Sequence, residues 1–422
     1  MQICIFEDEN YSNLEPLVYS RPVYDLFCGV ESLKQRIISS YGNVKVTLHC
    51  RPYLEEAVKR NNPACFVNRI EESECLFING RVIAPPNISE LLPLTSSEDK
   101  VFVNEDTVVA AYLSGTNLKY KLAHLKDLFS INDFNSLPIK ILDLKCANYL
   151  WDMIFYNGSQ IALDFNRFKM LNKENFINQA EHHIRLIDKE NIFIGRNVII
   201  KPGVVIDASN GPVIIDDDVF IYPNSFIEGP CFIGASTKIK AGATIYGSTS
   251  IGKVCKIGGE VEGSIFMDYS NKQHAGFIGH SYIGSWVNLG AGTNNSDLKN
   301  NYSLIKINLS NKVVDSNHRF LGMMIGDHSK SAINTKFNTG TVVGFACNIF
   351  SSGFPDKYVP SFIWGGDSSS KVYDVNKAIE TARIVINRRN IDFDSVDEKL
   401  FNFIFELTQS DREKKRLLVG RL

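Results

Sequence analysis

One histidine, His274, stands in the run Asn271-Lys272-Gln273-His274, where an otherwise regular six-residue repeat is interrupted over Met267–Gln273. A loop leaving the repeat there would hold the ring clear of the packed interior. Imidazole titrates near neutrality and accepts the proton that an attacking nucleophile sheds. A lone histidine is also readily structural, and position alone leaves both readings open. Thiol chemistry is disfavoured by spacing: the nine cysteines are scattered, odd in number and contain no Cys-x-x-Cys pair. They read as buried thiols in a reducing compartment, neither a disulfide framework nor a zinc cage.

The elements that must position such a residue follow from the repeat itself. Isoleucine returns at Ile215, Ile221, Ile227, Ile233, Ile239, Ile245, Ile251 and Ile257, with a small or β-branched residue four positions after each. The pattern begins at Ile194, Ile200 and Ile206, and absorbs an insertion near Ser209-Asn210-Gly211. It resumes at Phe277, Ile283 and Leu289, and runs again through Ile325, Ser331, Phe337, Val343 and Ile349. A period of six fits neither a helix nor a plain strand alternation. It fits a coil of three short strands, each pointing one aliphatic side chain inward, stacked as a left-handed parallel β-helix.

Before the repeat, short apolar runs (Ile3–Phe6, Val44–His49, Cys65–Asn68, Leu76–Asn79, Val101–Val103) alternate with helical stretches at Val30–Tyr41 and Tyr53–Arg60, an α/β pattern. A polar, helical-looking connector surrounds Lys173–His183. After the repeat, Asp374–Arg389 and Val396–Leu418 read as amphipathic helices. The organisation expected is an α/β domain over 1–170, a connector over 171–190, a β-helix over 191–366 and a helical extension over 367–422. With 422 residues, 44% of them apolar, there is material for more than one core. A net charge of −2 points away from nucleic acid and charged membranes and towards small-molecule ligands. No stretch approaches the roughly 20 apolar residues of a membrane span, and the chain opens on a strand-like Gln2-Ile3-Cys4-Ile5-Phe6 with no secretory signal pattern. The expectation is a cytoplasmic protein that contacts neither membrane nor nucleic acid.

The stretch Gly258-Gly259-Glu260-Val261-Glu262, then Asn271–His274, Gly279-His280-Ser281-Tyr282-Ile283-Gly284 and Val287-Asn288-Leu289-Gly290-Ala291-Gly292-Thr293, resembles a known family. It is similar to the bifunctional N-acetylglucosamine-1-phosphate uridylyltransferases/glucosamine-1-phosphate N-acetyltransferases, and more closely to a sugar nucleotidyltransferase branch of them. Asn13-Leu14-Glu15-Pro16-Leu17, Arg21-Pro22-Val23-Tyr24-Asp25-Leu26 with Gly29, and Ser361–Gly366 look like that branch. The resemblance implies acetyl transfer from acetyl-CoA to the amine of glucosamine-1-phosphate or a related amino-sugar phosphate, with His274 as base. It places Asn288 on the sugar, Lys240 on the phosphate, and Phe277 where the family has tyrosine. The family's second phosphate lysine falls near Gly258, leaving Lys256 or Lys272 as substitutes. Ala332, Ile333 and Ser351 fall on coenzyme-lining positions, in a groove between the solenoids of a homotrimer.

For the N-terminal half the resemblance implies transfer from a nucleoside triphosphate to a sugar-1-phosphate, with Mg²⁺, towards UDP-N-acetylglucosamine. Active members of the broader fold place a glycine-rich loop after the first strand, so that backbone amides approach the phosphates. Here that position reads Phe6-Glu7-Asp8-Glu9-Asn10-Tyr11. Arg21 is the candidate phosphate contact. Asn79-Gly80 replaces the family's metal-binding Gly-Asp, a weaker ligand that Asp8 or Asp106 would have to supplement. The metal ligands stay unknown at this stage. Two other readings stand beside this one: a nucleotidyltransferase whose β-helix only oligomerises, and a catalytically silent sugar-nucleotide-binding regulator.

Overall fold

The repeat folds as a three-sided parallel β-helix whose faces are sheets of nine, ten and six short strands, each pairing in parallel with its counterpart one coil away except Lys371–Val372, which ends the ten-stranded face antiparallel to Ile363–Gly365. The computed structural model describes residues 1–123, 125, 127–171, 175, 183–310 and 312–419. The connector expected around Lys173–His183 lies, apart from Asn175 and His183, outside the described residues. Inward positions follow the periodicity. Ile215, Ile233, Ile251, Phe266, Ile283, Ile325 and Val343 stack behind the first face, and Ile206, Ile227, Ile245, Val261 and Ile278 behind the third, all fully buried. A narrow section excludes water from these stacks, and each coil completes the burial of the next.

Two details differ from the expected register. The inward residue after Val261 is Ile278, and Phe277 faces out. The interruption near His274 is no projecting loop. The fourth coil turns from face two to face three through Ile257-Gly258-Gly259-Glu260-Val261, whereas the third uses the longer Ile239-Lys240-Ala241-Gly242-Ala243-Thr244-Ile245. The hexad breaks because a corner has been shortened. The true excursion follows Asn294–Asn295 and carries a hairpin of Lys306–Asn308 and Val313–Asp315 before the coil resumes at Met324–Ile325.

On face two the stack reads Ile239, Ile257, Lys272, Leu289, so a lysine occupies an aliphatic position. Its ammonium is sealed inside the coil and donates to the carbonyls of Gly258 (2.7 Å) and His274 (3.0 Å). Gly259 has φ +69°, and a Cβ there would meet this ammonium at 2.6 Å and the His274 carbonyl at 2.9 Å, so the short corner requires glycine. Burial pushes the Lys272 ammonium down to about 8 from 10.5, a shift that Glu260 opposes. Below that pH the group is charged in both states; above it, up to 10.5, only the unfolded chain keeps the proton, so stability rises with pH. Urea titrations at pH 7 and pH 9.5 are expected to show that rise, and Lys272→Met is expected to show a smaller one. An identical rise in the variant would place the effect elsewhere.

The N-terminal residues form a seven-stranded mixed sheet. In spatial order its strands are Phe66–Val67, Lys45–Leu48, Gln2–Phe6, Glu74–Asn79, Thr107–Ser114, Lys100–Asn104 and Ile139–Ile141. The expected strands and both helices are present, and the fold class read from the sequence stands: α/β, then parallel β-helix, then helices. The expected last helix is two, Ser395–Leu407 and Gln409–Val419, broken at Thr408, whose hydroxyl turns back to the Ile404 carbonyl.

A 22-residue helix, Leu150–Leu171, joins the halves. Its Trp151, Met153 and Ile154 share one apolar cluster with Leu17, Val23 and Leu26 from the N-terminal half and Ile265, Tyr282 and Met324 from the coil. The Arg21–Gly29 motif is spent on this seam. Arg21 pairs with Asp327 of the coil. Tyr282 exchanges hydrogen bonds with the Phe27 backbone (2.7 and 2.8 Å). Gly29 donates to Asn157 (2.8 Å) and accepts from Ser250 (2.7 Å). Gly29 has φ +80° and stands where a Cβ would strike Asp164, itself forked by the buried Arg36.

Candidate functional site

The corner between faces two and three assembles most of the expected acyl-transfer residues. Pairing sets Gln273 beside Gly290, Ala332 and Phe350 in successive coils, so the next residues, His274, Ala291, Ile333 and Ser351, form one column. At about 4.8 Å per coil, Ile333 lies roughly 10 Å and Ser351 roughly 14 Å along the axis from His274. His274 is exposed, and among the described residues its ring has no hydrogen-bond partner. Its carbonyl is pinned by Lys272, so the inward lysine fixes the corner on which the imidazole stands. Asn288 is exposed on face two one coil above Asn271, and Phe277 opens face three just after the His274 corner, over Gly279.

Lys240 lies on the same edge two coils below, its ammonium 4.5 Å from the Tyr222 ring centre. Lys256 faces outward beside Asn271 and lines a cavity with Gln273 and Asn288. Lys272 does not join them. Expected as a phosphate contact, it points into the coil, because the shortened corner leaves two carbonyls that only an inward donor can satisfy. Ile333 is 72% exposed, and with Phe350, Phe354 and Trp364 it leaves an uncovered apolar strip at this end of the coil.

The nucleotide-side residues lie away from this edge, Arg21 at the seam with the coil and Asn79 with Gly80 at the end of the strand Glu74–Asn79. Arg21, expected at a phosphate, is committed to Asp327 and to the Met267 sulfur. Asn79 is fully buried and donates to Asp8 (2.9 Å) and the Val108 carbonyl (2.9 Å). Gly80 lies flat against Tyr24, which a Cβ would meet at 2.9 Å. Mg²⁺, which the resemblance implies here, does not fit these residues. Both oxygens of Asp8 are forked by Arg81 (2.9 and 2.5 Å), so a guanidinium already supplies the positive charge. Glu7 is likewise closed by Arg51 and the Val23 amide. Among the described residues no cluster of three or more His, Cys, Asp or Glu is placed to hold a metal, and no helix is long and apolar enough to cross a membrane.

Sequence reasoning missed three cations near Asn288. Lys330 stands one coil above it, and Arg388 and Arg389 close the helix Val375–Asn387. The legible signal was an Arg-Arg pair ending an amphipathic helix with no acidic residue in the preceding turn. A second histidine is paired: His280 Nδ1 lies 2.8 Å from Asp297 at the opposite corner, near the Phe155–His318 ring stack. That cluster clamps the excursion against the long helix, and burial, then His280, holds the His318 imidazole below its ordinary value.

Residues 3–172 match the family model described as sugar nucleotidyl transferase. The chain is 30% identical over 256 residues to the bifunctional protein GlmU of Wigglesworthia glossinidia brevipalpis, covering 59% of this chain and 50% of that one. It is 34% identical over 142 residues to the bifunctional sugar-1-phosphate nucleotidylyltransferase/acetyltransferase of Sulfurisphaera tokodaii, 33% of this chain and 35% of that protein. The chain thus spans half or less of these relatives. Among solved structures it is similar to the UDP-N-acetylglucosamine acyltransferase of Francisella novicida. The identity is 17% and the TM-score 0.30, over 57% of this chain and 86% of that one. The family resemblance read from the motifs is the one these comparisons return.

Proposed function

We propose that the β-helix transfers an acetyl group from acetyl-CoA to the amine of an amino-sugar phosphate, glucosamine-1-phosphate first among them, with His274 as general base. The observation that carries this reading is the corner column. An exposed imidazole, held by a backbone carbonyl pinned at Lys272, heads a line that continues through Ile333 to Ser351. The amine must lose a proton as it attacks the thioester carbonyl, and His274 Nδ1 or Nε2 accepts it as the C–N bond forms and coenzyme A thiolate leaves. Asn288 offers its amide to the sugar hydroxyls. On this reading the coenzyme lies along Ala332, Ile333 and Ser351 between neighbouring solenoids of a homotrimer in the cytoplasm, and the bare apolar strip there is covered by the next subunit. Free-thiol release from acetyl-CoA with glucosamine-1-phosphate tests it. Release above the substrate-free background is expected, and its absence across a panel of amino-sugar phosphates defeats the reading.

For residues 3–172 the similarity supports nucleotidyl transfer to a sugar-1-phosphate, towards UDP-N-acetylglucosamine. The Asp8–Arg81 fork favours the other reading, a binding segment without turnover. Pyrophosphate release from UTP, CTP, GTP or dTTP with sugar-1-phosphates and Mg²⁺ separates them: release establishes the transferase, and none in any combination leaves the binder.

A further inference from the structure

Two cavities flank face two, and their charges are organised in opposite ways. The larger, about 440 Å³, lies where the N-terminal half, the coil and the C-terminal helices meet, and its cations are paired. Lys34 holds Asp25 (2.6 Å), Arg60 holds Asp394 and Asp397 (2.7 Å each), Lys253 holds Asp268 (3.5 Å), and Arg21 holds Asp327. The smaller, about 320 Å³, lies against face two under the end of the helix Val375–Asn387.

Its wall carries Lys256, Lys330, Arg388 and Arg389 and not one carboxylate. Among the described residues none of the four is in an ion pair. Lys330 donates to the His328 carbonyl (2.8 Å), and Arg389 reaches only the Asn271 amide oxygen (3.5 Å). The helix's terminal carbonyls attract Arg388 and Arg389, but they do not account for the two lysines on the opposite wall. Burial, then Arg389, Lys238, Arg388 and Lys240, holds the Lys256 ammonium below its ordinary value, and burial pushes Lys330 down to about 8. Like charges gathered against a half-buried wall repel, and an anion of more than one charge relieves that repulsion.

We propose that this cavity is a phosphomonoester site, with Lys256, Lys330, Arg388 and Arg389 taking the phosphoryl oxygens and the Asn271, Gln273 and Asn288 amides taking hydroxyls of the group that bears it. Gln273 immediately precedes His274, so a phosphorylated sugar seated here has its far side at the corner. The assignment of that sugar as acceptor rests on the acyl-transfer reading above. The anion site itself rests on the wall alone. The helical extension therefore completes a binding site and is more than a cover on the coil.

Calorimetric titration of the full chain with glucosamine-1-phosphate, inorganic phosphate, glucosamine and coenzyme A tests this. Saturable binding is expected for the first two and none for glucosamine. The double substitution Arg388→Gln/Arg389→Gln is expected to weaken glucosamine-1-phosphate at least about tenfold. Arg388→Lys/Arg389→Lys is expected to retain most of the affinity, which separates loss of charge from loss of fold. Lys253→Gln, in the other cavity, is expected to bind as wild type does. No saturable binding, or equal affinity in the glutamine variant, overturns the site. So does coenzyme A binding that excludes glucosamine-1-phosphate and is itself lost in that variant. His274→Ala is expected to bind glucosamine-1-phosphate with unchanged affinity. A chain that binds it but releases no thiol therefore defeats acyl transfer and leaves the anion site standing.

Discussion

Replacing Arg81 by methionine is expected to lower the unfolding free energy by about 3–5 kcal/mol, because it strands Asp8 as a buried, unpaired carboxylate. The two side chains are 1% and 8% exposed. Arg81 also donates to the Asn148 side chain (2.7 Å), so the loss extends to the approach of the long helix. Urea unfolding measures it: the midpoint falls while the slope holds. Adding Asp8→Asn to the variant removes the stranded charge and is expected to restore part of the loss. A fall under about 1 kcal/mol would mean that water reaches the pair and solvates it. This prediction concerns the strand ends at which a nucleotidyl transferase would bind metal, so it also measures how far that region has been turned to holding the fold.

The second large effect is chemical. His274→Ala is expected to lower the rate of thiol release by about 10²–10⁴-fold, the usual contribution of a positioned general base. KM for the amino-sugar phosphate should change little, because the imidazole contributes to the transition state more than to ground-state binding. Thermal unfolding should be little altered, since His274 is exposed and its ring makes no hydrogen bond or ion pair among the described residues. His280→Ala is the contrasting variant. Its ring is held by Asp297 and lies against packed aromatic residues, so it is expected to lower stability while leaving thiol release measurable. Equal release by His274→Ala and wild type would remove His274 from the reaction.

Periodicity made the coil legible in the sequence, because stacking demands the same side chain at the same position in every turn: Ile215 through Ile257 could be placed inward before any coordinate was known. It failed where the coil itself departs from the period. The shortened corner at Gly258-Gly259 breaks the count of six; beyond it Ile283, Leu289, Ile325 and Val343 are inward as read, but Phe277 was expected inward and Ile278 is found there, five residues before Ile283. Lys272 was unreadable for the same reason. A lysine at an aliphatic position looks like a surface residue unless the carbonyls it satisfies are known, and those depend on the missing corner residues. The motif Arg21–Gly29 was visible as a motif, but its purpose was not. Its partners Asp327, Asn157 and Ser250 are far along the chain, and no local pattern announces them. His274, Asn288, Ile333 and Ser351 were found by resemblance, and the alignment of His274, Ile333 and Ser351 in one column follows from coil pairing. Lys330, Arg388 and Arg389 come from two elements that meet only in three dimensions, so the Arg-Arg pair was legible in the sequence but its meeting with Lys330 was not.

The helix Leu150–Leu171 offers its apolar residues to both halves at once, and that restricts how such a chain can change. A cut at the seam would leave Trp151, Ile154 and Tyr282 facing water on whichever fragment kept them. Neither half owns a finished surface, so they are not interchangeable parts. Grafting a foreign nucleotide domain onto this coil would require the graft to bring its own Arg21, Phe27 and Gly29 in the same places. The joint has in effect closed off exchange by recombination, and the two halves must drift together, each substitution on one side of the seam constrained by what it meets on the other.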